Sequence, residues 1–205
     1  MRITVFGANG RTGVLLVYQA LEKGHVVTAV ARRADSVPIR HPNLTVIQGD
    51  ILDYQMVKEA VAGQEAVLSA LGVNQRKYNT ILSEGTKNIL QAMKECGVKR
   101  FICMSSAGVL GNDAGFIFGK IIVPLFLKQE MEDKKRQLQV LRESDLEWVA
   151  VRPSGLTDSP KTGKYRITDG PPAYRSVPRA DVADFMLKLL TDRSYDRQTP
   201  AIAGY

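Results

Sequence analysis

Gly7, Gly10 and Gly13 stand at three-residue intervals in the opening stretch RITVFGANGRTGVLLVYQALEK. Between a hydrophobic run and an amphipathic one, that spacing suits one kind of chemistry: bare backbone amides closing on a phosphate. The first glycine permits a sharp turn, the second lets the main chain approach a diphosphate, and the third lets the following helix pack closely on the strand. Asn9, Arg11 and Thr12 share the turn, and Arg11 and Thr12 carry further donors. The alternative is a tight turn whose glycines serve packing alone.

A second feature selects among the anions such a turn could hold. The next apolar run, HVVTAVARR, ends in Arg32 and Arg33. Dinucleotide sites specific for an unphosphorylated ribose usually place an acid there; here the first acid beyond is Asp35. A guanidinium clamps a 2′-phosphate with two parallel hydrogen bonds, so NADPH is expected over NADH, the alternative being two solvated surface arginines. Asp50, in QGD, is placed to accept from an adenine amino group or to cap the turn into the next helix.

These residues need a frame that brings them to one edge. Strands are expected over 2–6, 25–31, 44–50, 65–71, 100–106 and 146–153, and helices over 12–23, 53–61, 79–97, about 129–143 and 180–192. Gly24 ends the first helix and Asp53 caps the second. Ile81, Leu82, Gly85, Ile89, Ala92 and Met93 share one helical face. Strands alternating with helices over short loops imply an α/β fold with a doubly wound parallel sheet, Rossmann-type, in one domain over 1–205. Residues 154–178 read as a loop-rich, substrate-side segment with one or two short strands, and TPAIAGY as a last strand.

Composition narrows the function classes. The chain of 205 residues is 44% hydrophobic and 24% charged, with a formal charge of +7. Its basic residues are scattered among acids, whereas a nucleic-acid footprint concentrates them on one face; no nucleic-acid partner is expected. Cys96 and Cys103 sit in apolar segments outside any CxxC, and His25 and His41 add no zinc spacing, so no metal is expected. The longest apolar run, FIFGKIIVPLFL at 116–127, is too short and too interrupted to cross a bilayer. The chain opens in a strand pattern rather than a signal peptide, and a cytoplasmic location is expected.

Taken together, GANGRTG, VARR, QGDILD, SEGTKNILQAMKECGVKRFICMSS and KKRQLQVLRESDLEWVAVRPSGLTD resemble the atypical short-chain dehydrogenase/reductases, NmrA-like proteins included, and most of all their biliverdin-IXβ reductase/flavin reductase branch. The resemblance extends from residue 1 to about 195; SEGTKNI and VLRESDLEWVAV carry it more specifically than the glycines. It implies NADPH as hydride donor, a monomer or small homo-oligomer, and flat conjugated acceptors such as flavins, linear tetrapyrroles or quinones. By motif position it implies that Gly7, Gly10, Arg11, Thr12 and Gly13 hold the pyrophosphate and that Arg32, helped by Arg33, faces the 2′-phosphate. Asp50 and Ile51 would flank adenine, with Ala70, Leu71 and Gly72 beside the cofactor. Ser105 and Ser106 would lie near the nicotinamide, and Pro153 and Ser154 at its amide.

The chain departs from the resemblance in two places. Alcohol-oxidising short-chain dehydrogenases carry Tyr-x-x-x-Lys after the fifth strand; here Lys134 and Lys135 follow Glu130 and Met131, and no tyrosine lies between Tyr78 and Tyr165. That argues against ketone chemistry and sugar epimerisation, which need a strong acid–base at oxygen. Hydride transfer into a conjugated acceptor asks mainly for stacking and order, with Ser106 as the catalytic candidate, positioning acceptor or water. Flavin-reducing members often place a histidine shortly after the sixth strand, where Gly155 stands here. FIFGKIIVPLFL reads as an apolar wall for a flat acceptor, or as a packed helix or dimer contact. Lys134, Lys135 and Arg136 read most simply as a solvated face. Two rival readings stay open: a redox sensor that binds the dinucleotide without turnover, and a scaffold or assembly protein that keeps the fold for contact.

Overall fold

A computed structural model describes residues 1–72, 80–110, 128–170 and 175–205; FIFGKIIVPLFL lies outside them. In chain order the elements are β1 (Arg2–Phe6), α1 (Arg11–Glu22), β2 (Val26–Ala31), β3 (Leu44–Gln48), α2 (Tyr54–Val61), β4 (Ala66–Ser69), α3 (Ile81–Glu95), β5 (Arg100–Met104), α4 (Lys128–Glu143), β6 (Glu147–Pro153), β7 (Leu156–Thr157), β8 (Tyr165–Thr168), β9 (Val177–Pro178), α5 (Arg179–Lys188) and β10 (Ala201–Gly204). The strands form an eight-stranded sheet in the order β3-β2-β1-β4-β5-β6-β10-β8, with β7 and β9 paired apart. All neighbours in the large sheet are parallel except β8, which runs antiparallel to β10 at the edge. The doubly wound parallel sheet is thus as expected, with one antiparallel edge strand, and residues 154–178 hold three short strands where one or two were expected. A four-residue strand flanked by prolines and glycines gives little pattern to read.

The doubly wound form follows from the side-chain alternation of strands buried on both faces. Ile3 and Val5 of β1, Val27 and Ala29 of β2, Ile102 of β5 and Val149 and Val151 of β6 pack on one face with Leu16, Val17 and Ala20 of α1 and Phe185 and Met186 of α5. Their strand neighbours Phe6, Val30, Phe101, Cys103, Trp148 and Ala150 pack on the other face with α2, α3 and α4. Asp53 caps α2 by accepting from the amides of Gln55 and Met56, and Gly24 leaves α1 at φ +77°.

Buried charge locks the C-terminal part to this frame. Arg100 and Arg152 are 2% and 0% exposed, and backbone carbonyls take up their donors. Arg100 gives hydrogen bonds to the carbonyls of Leu189 and Asp192 and pairs with Asp196. Arg152 gives them to Thr199, Asp169 and Gly170. On α5, the carboxylate of Asp181 accepts from the amides of Thr162 and Gly163 at 2.9 and 2.8 Å. Asp184 meets Lys161 at 2.7 Å, Lys188 at 2.9 Å and Lys23 at 3.7 Å, and accepts from the Tyr165 hydroxyl.

Burial pushes the Asp184 carboxyl up, but the hydrogen bonds and charges of Lys161 and Lys188 outweigh it and hold it at about 2, below its ordinary 3.8. A depressed carboxyl contributes stability that is complete above its unfolded value and drains away as pH falls through the folded one. Asp184→Asn is therefore expected to cost about 1–3 kcal/mol at neutral pH. Urea melts of both proteins should show that deficit constant down to about pH 4 and shrinking toward pH 2.

Candidate functional site

The sheet order grows outward in both directions from β1, so β1 and β4 flank the point where the winding reverses; ligands of such sheets bind beyond the strands' carboxyl ends there. The glycine turn occupies that place. Gly7 leaves β1 at φ +74°, and a side chain on it would press to 3.0 Å of the Ala70 and Leu71 backbone at the end of β4. The Gly10 amide bonds back to the Gly7 carbonyl at 3.0 Å. A Cβ on Gly13 would lie 2.0 Å from that same carbonyl oxygen, so only glycine allows α1 to begin this close to β1. No side chain caps α1 and its first turn holds no acid. Its leading amides and positive dipole end are thus left for an external anion.

Beside this turn lies a cavity of about 240 Å³. Gly7, Asn9 and Gly10 form one end, Ala70, Leu71 and Gly72 one wall, Asp50 and Ile51 another, and Arg32 the rim. These expected residues are thus brought together. Thr12 is buried in the first turn of α1. Arg33 is exposed and outside the cavity lining. Arg11 turns outward to an ion pair with Asp158, which also meets Arg179 at 2.8 Å. Ser105, Ser106, Pro153 and Ser154 lie at the ends of β5 and β6, apart from the cavity lining. The Ser154 hydroxyl donates to the Arg175 carbonyl at 2.5 Å, and that of Ser106 to its neighbour Ala107.

Sequence reasoning missed Gly49, Ile81 and Leu82 in the lining, and it missed the residues that hold the Asp50–Ile51 wall. Asn88 of α3 donates to the carbonyls of Ile51 at 3.0 Å and Leu52 at 3.2 Å. A Cβ on Gly85 would come within 2.7 Å of the Ile51 side chain, so glycine lets that wall rest directly on the helix. The other face of the same motif meets α4. Asp133 accepts from the amides of Leu82 and Ser83 and from the Ser83 hydroxyl, and Gln137 donates to the Thr86 hydroxyl at 2.9 Å. SEGTKNI is thus one motif with two faces, and its spacing was the available signal. Asp50 itself accepts from the Leu52 amide at 2.9 Å, and Asp53 rather than Asp50 caps α2.

The lysine–arginine run of α4 is corrected by the structure. Lys135 is exposed and Arg136 half-buried, but Lys134 is 5% exposed. Its ammonium lies 3.5 Å from the Ser105 carbonyl and 3.4 Å from Glu130. A charge run on a mostly polar helix reads as solvated; this member of it instead turns in toward the backbone just past β5. Under the same helix, burial pushes the Cys103 thiol up to about 12 against the opposing charge of Lys134, which leaves it inert as a nucleophile. Among the described residues no group of three or more His, Cys, Asp or Glu could hold a metal, and no helix is long and apolar enough to cross a membrane.

A sheet with this order, a glycine turn at its switch point and an uncapped helix start define a dinucleotide-binding fold. The family model described as NAD(P)H-binding matches residues 7–193, and the chain belongs to that family. It is 29% identical over 175 residues to a 3-beta-hydroxysteroid dehydrogenase of Mycolicibacterium neoaurum, a match covering 76% of this chain and 47% of that protein. The chain thus spans about half the length of the hydroxysteroid dehydrogenases it matches. An uncharacterized chloroplastic protein of Arabidopsis thaliana, At2g34460, is 27% identical over 206 residues, covering 92% of this chain and 71% of that one. In fold, the chain is similar to a short-chain dehydrogenase/reductase from Veillonella parvula in complex with NADP (TM-score 0.85, 22% identity, 98% of this chain and 94% of that one). It is also similar to ChuY, an anaerobillin reductase from Escherichia coli O157:H7 (TM-score 0.79, 24% identity, 99% and 97%).

Asn88→Ala removes both bonds that hold the Ile51–Leu52 turn, a loss of about 1–3 kcal/mol. Calorimetric scanning should show the melting temperature lowered by several degrees, and titration should show weakened NAD(P)H binding. Unchanged values for both would mean that the turn holds itself.

Proposed function

We propose that the chain is an NADPH-dependent reductase that passes hydride to a flat conjugated acceptor of the flavin, bilin or quinone kind, with residues 1–205 acting as one dinucleotide-binding unit. The observation that carries the cofactor half of this reading is the cavity at the switch point, with bare amides at one end and Arg32 rather than a carboxylate at its rim. In it, Gly7, Gly10 and Gly13 and the first amides of α1 would cradle the diphosphate. Asp50 and Ile51 would border adenine, and Arg32 would pair with the 2′-phosphate, with Arg33 near at hand. The end of β5 with Ser105 and Ser106, and the end of β6 with Pro153 and Ser154, would flank the reacting ring. When bound, the dinucleotide supplies a hydride; the protein's work is to orient, stack and exclude water.

The acceptor class follows from what stands at the reacting end. No phenol occupies the position four residues before Lys134 or Lys135, where Glu130 and Met131 are found. A ketone needs the strong acid–base assistance that a phenol supplies at its oxygen, whereas a conjugated ring system spreads the incoming electron pair itself and asks only that a proton follow. The relatives named as hydroxysteroid dehydrogenases and the neighbour named as an anaerobillin reductase support oxidoreductase chemistry, and the missing tyrosine favours the second kind of substrate. The partner is then a small molecule.

NADPH oxidation measured against a panel of flavins, biliverdins and quinones tests the reading, with turnover of at least one class expected. Tight dinucleotide binding with no turnover would favour a sensor instead. Arg32→Ala is expected to weaken NADPH binding by about 1–3 kcal/mol, the scale of one charge-assisted contact, and to leave NADH affinity unchanged. Equal losses for the two nucleotides by titration calorimetry would remove the preference for NADPH.

A further inference from the structure

The buried cations of this chain fall into two kinds. Arg100 and Arg152 direct their guanidinium donors at carbonyls of the C-terminal segment at 2.5–3.2 Å, so each works as an internal fastener. Lys134 is as deeply covered, yet the contacts of its ammonium are long: the Ser105 carbonyl at 3.5 Å and the Glu130 carboxylate at 3.4 Å. An ammonium has three donors, and burying one without close partners is costly. Its neighbour on the helix, Asp133, is engaged with the start of α3 and with Arg136, and so is not available to it as a close partner.

A second buried polar group at the same point lacks a partner among the described residues. The Ser105 side-chain oxygen makes no hydrogen bond among the described residues, although the residue is 4% exposed. Ser105 sits just past the carboxyl end of β5, the side of the sheet where ligands bind. Glu130 is 28% exposed, so this carboxylate reaches water while its partner does not. An ordinary i,i+4 pair on a helix surface has both members solvated; this one joins a covered cation to a partly open anion.

We propose that Glu130 and Lys134 form the proton supply for the acceptor, resting on the reductase reading above. Reduction of a conjugated acceptor takes up one hydride, two electrons with one hydrogen, from the dinucleotide, and one proton from elsewhere. That proton leaves the Lys134 Nζ as its N–H bond breaks and an N–H or O–H bond forms on the acceptor atom that received the charge. Glu130 returns a proton from bulk water to the neutral amine, restoring the ammonium. The balance is dinucleotide hydride plus one solvent proton plus acceptor, giving oxidised dinucleotide and reduced acceptor. Ser105 contributes a hydroxyl that can hold the acceptor atom or an intervening water beside the ammonium.

Two variants test this. Lys134→Arg keeps the positive charge but gives a group that does not release its proton, and Glu130→Gln removes the return path at a partly open position. Each should keep its melting temperature within a few degrees of the wild type and its NADPH dissociation constant within about threefold. With FMN and with biliverdin as acceptors, kcat should fall about 10²-fold at unchanged KM, the lower end of what a positioned acid contributes. The solvent deuterium isotope effect should rise. A kcat within twofold of wild type in either variant overturns the proposal, as does a loss of NADPH affinity that parallels the loss of kcat. Should Lys134→Arg fail to fold, Glu130→Gln alone decides between the same outcomes. A wild-type protein that binds NADPH yet reduces no acceptor overturns the reductase reading itself, a result distinct from active variants.

Discussion

One contact governs the molecule: the start of α1 lies so near the end of β1 that a single methyl group on Gly13 would stand 2.0 Å from the Gly7 carbonyl oxygen. That approach aligns the helix axis with the mouth of the sheet. It brings the leading amides of α1 within reach of the cavity and lets Gly7 lie against the backbone of Ala70 across the switch point. The uncapped start of α1 is a by-product of packing; no side chain is recruited to make it. The remaining pieces of the cavity are then placed by strands already in register with β1, through β2 on one side and β4 on the other.

The two faces of the sheet carry different duties. The face covered by α1 and α5 is secured at its C-terminal edge by charge, through Asp181, Asp184 and Arg100. The face covered by α2, α3 and α4 is secured by close packing at Gly85 and by hydrogen bonds through Asn88, Thr86, Gln137 and the Asp133 carboxylate. The second arrangement lets the loop after β3 rest directly on a helix, which is what gives the cavity a floor at Ile51.

Much of this was legible in the residues. Strands buried on both faces are continuous apolar runs, and the glycine spacing is local, so the doubly wound frame and the turn could both be read. The strand ends were overrun. Patterning carried the third, fourth and fifth strands to residues 50, 71 and 106, but the ladders stop at Gln48, Ser69 and Met104. Ala70 and Leu71 continue the apolar rhythm past the ladder and line the cavity with Asp50, while the amides of Ala70 and Ser105 still bond to the neighbouring strands, so nothing in the pattern marks where the strand stops. Long-range polar partners were illegible for another reason. That Asp133 caps a helix fifty residues earlier, or that Lys134 turns in to the Ser105 carbonyl, depends on which elements the topology sets side by side.

The outward turn of Arg11 changes the electrostatics of the glycine loop's approach. With Asp158 shared between Arg11 and Arg179, the three side chains together present one net positive charge rather than two. An incoming polyanion is therefore drawn less by this rim than a count of guanidinium groups implies, and more by the helix dipole, whose reach ends within about a turn.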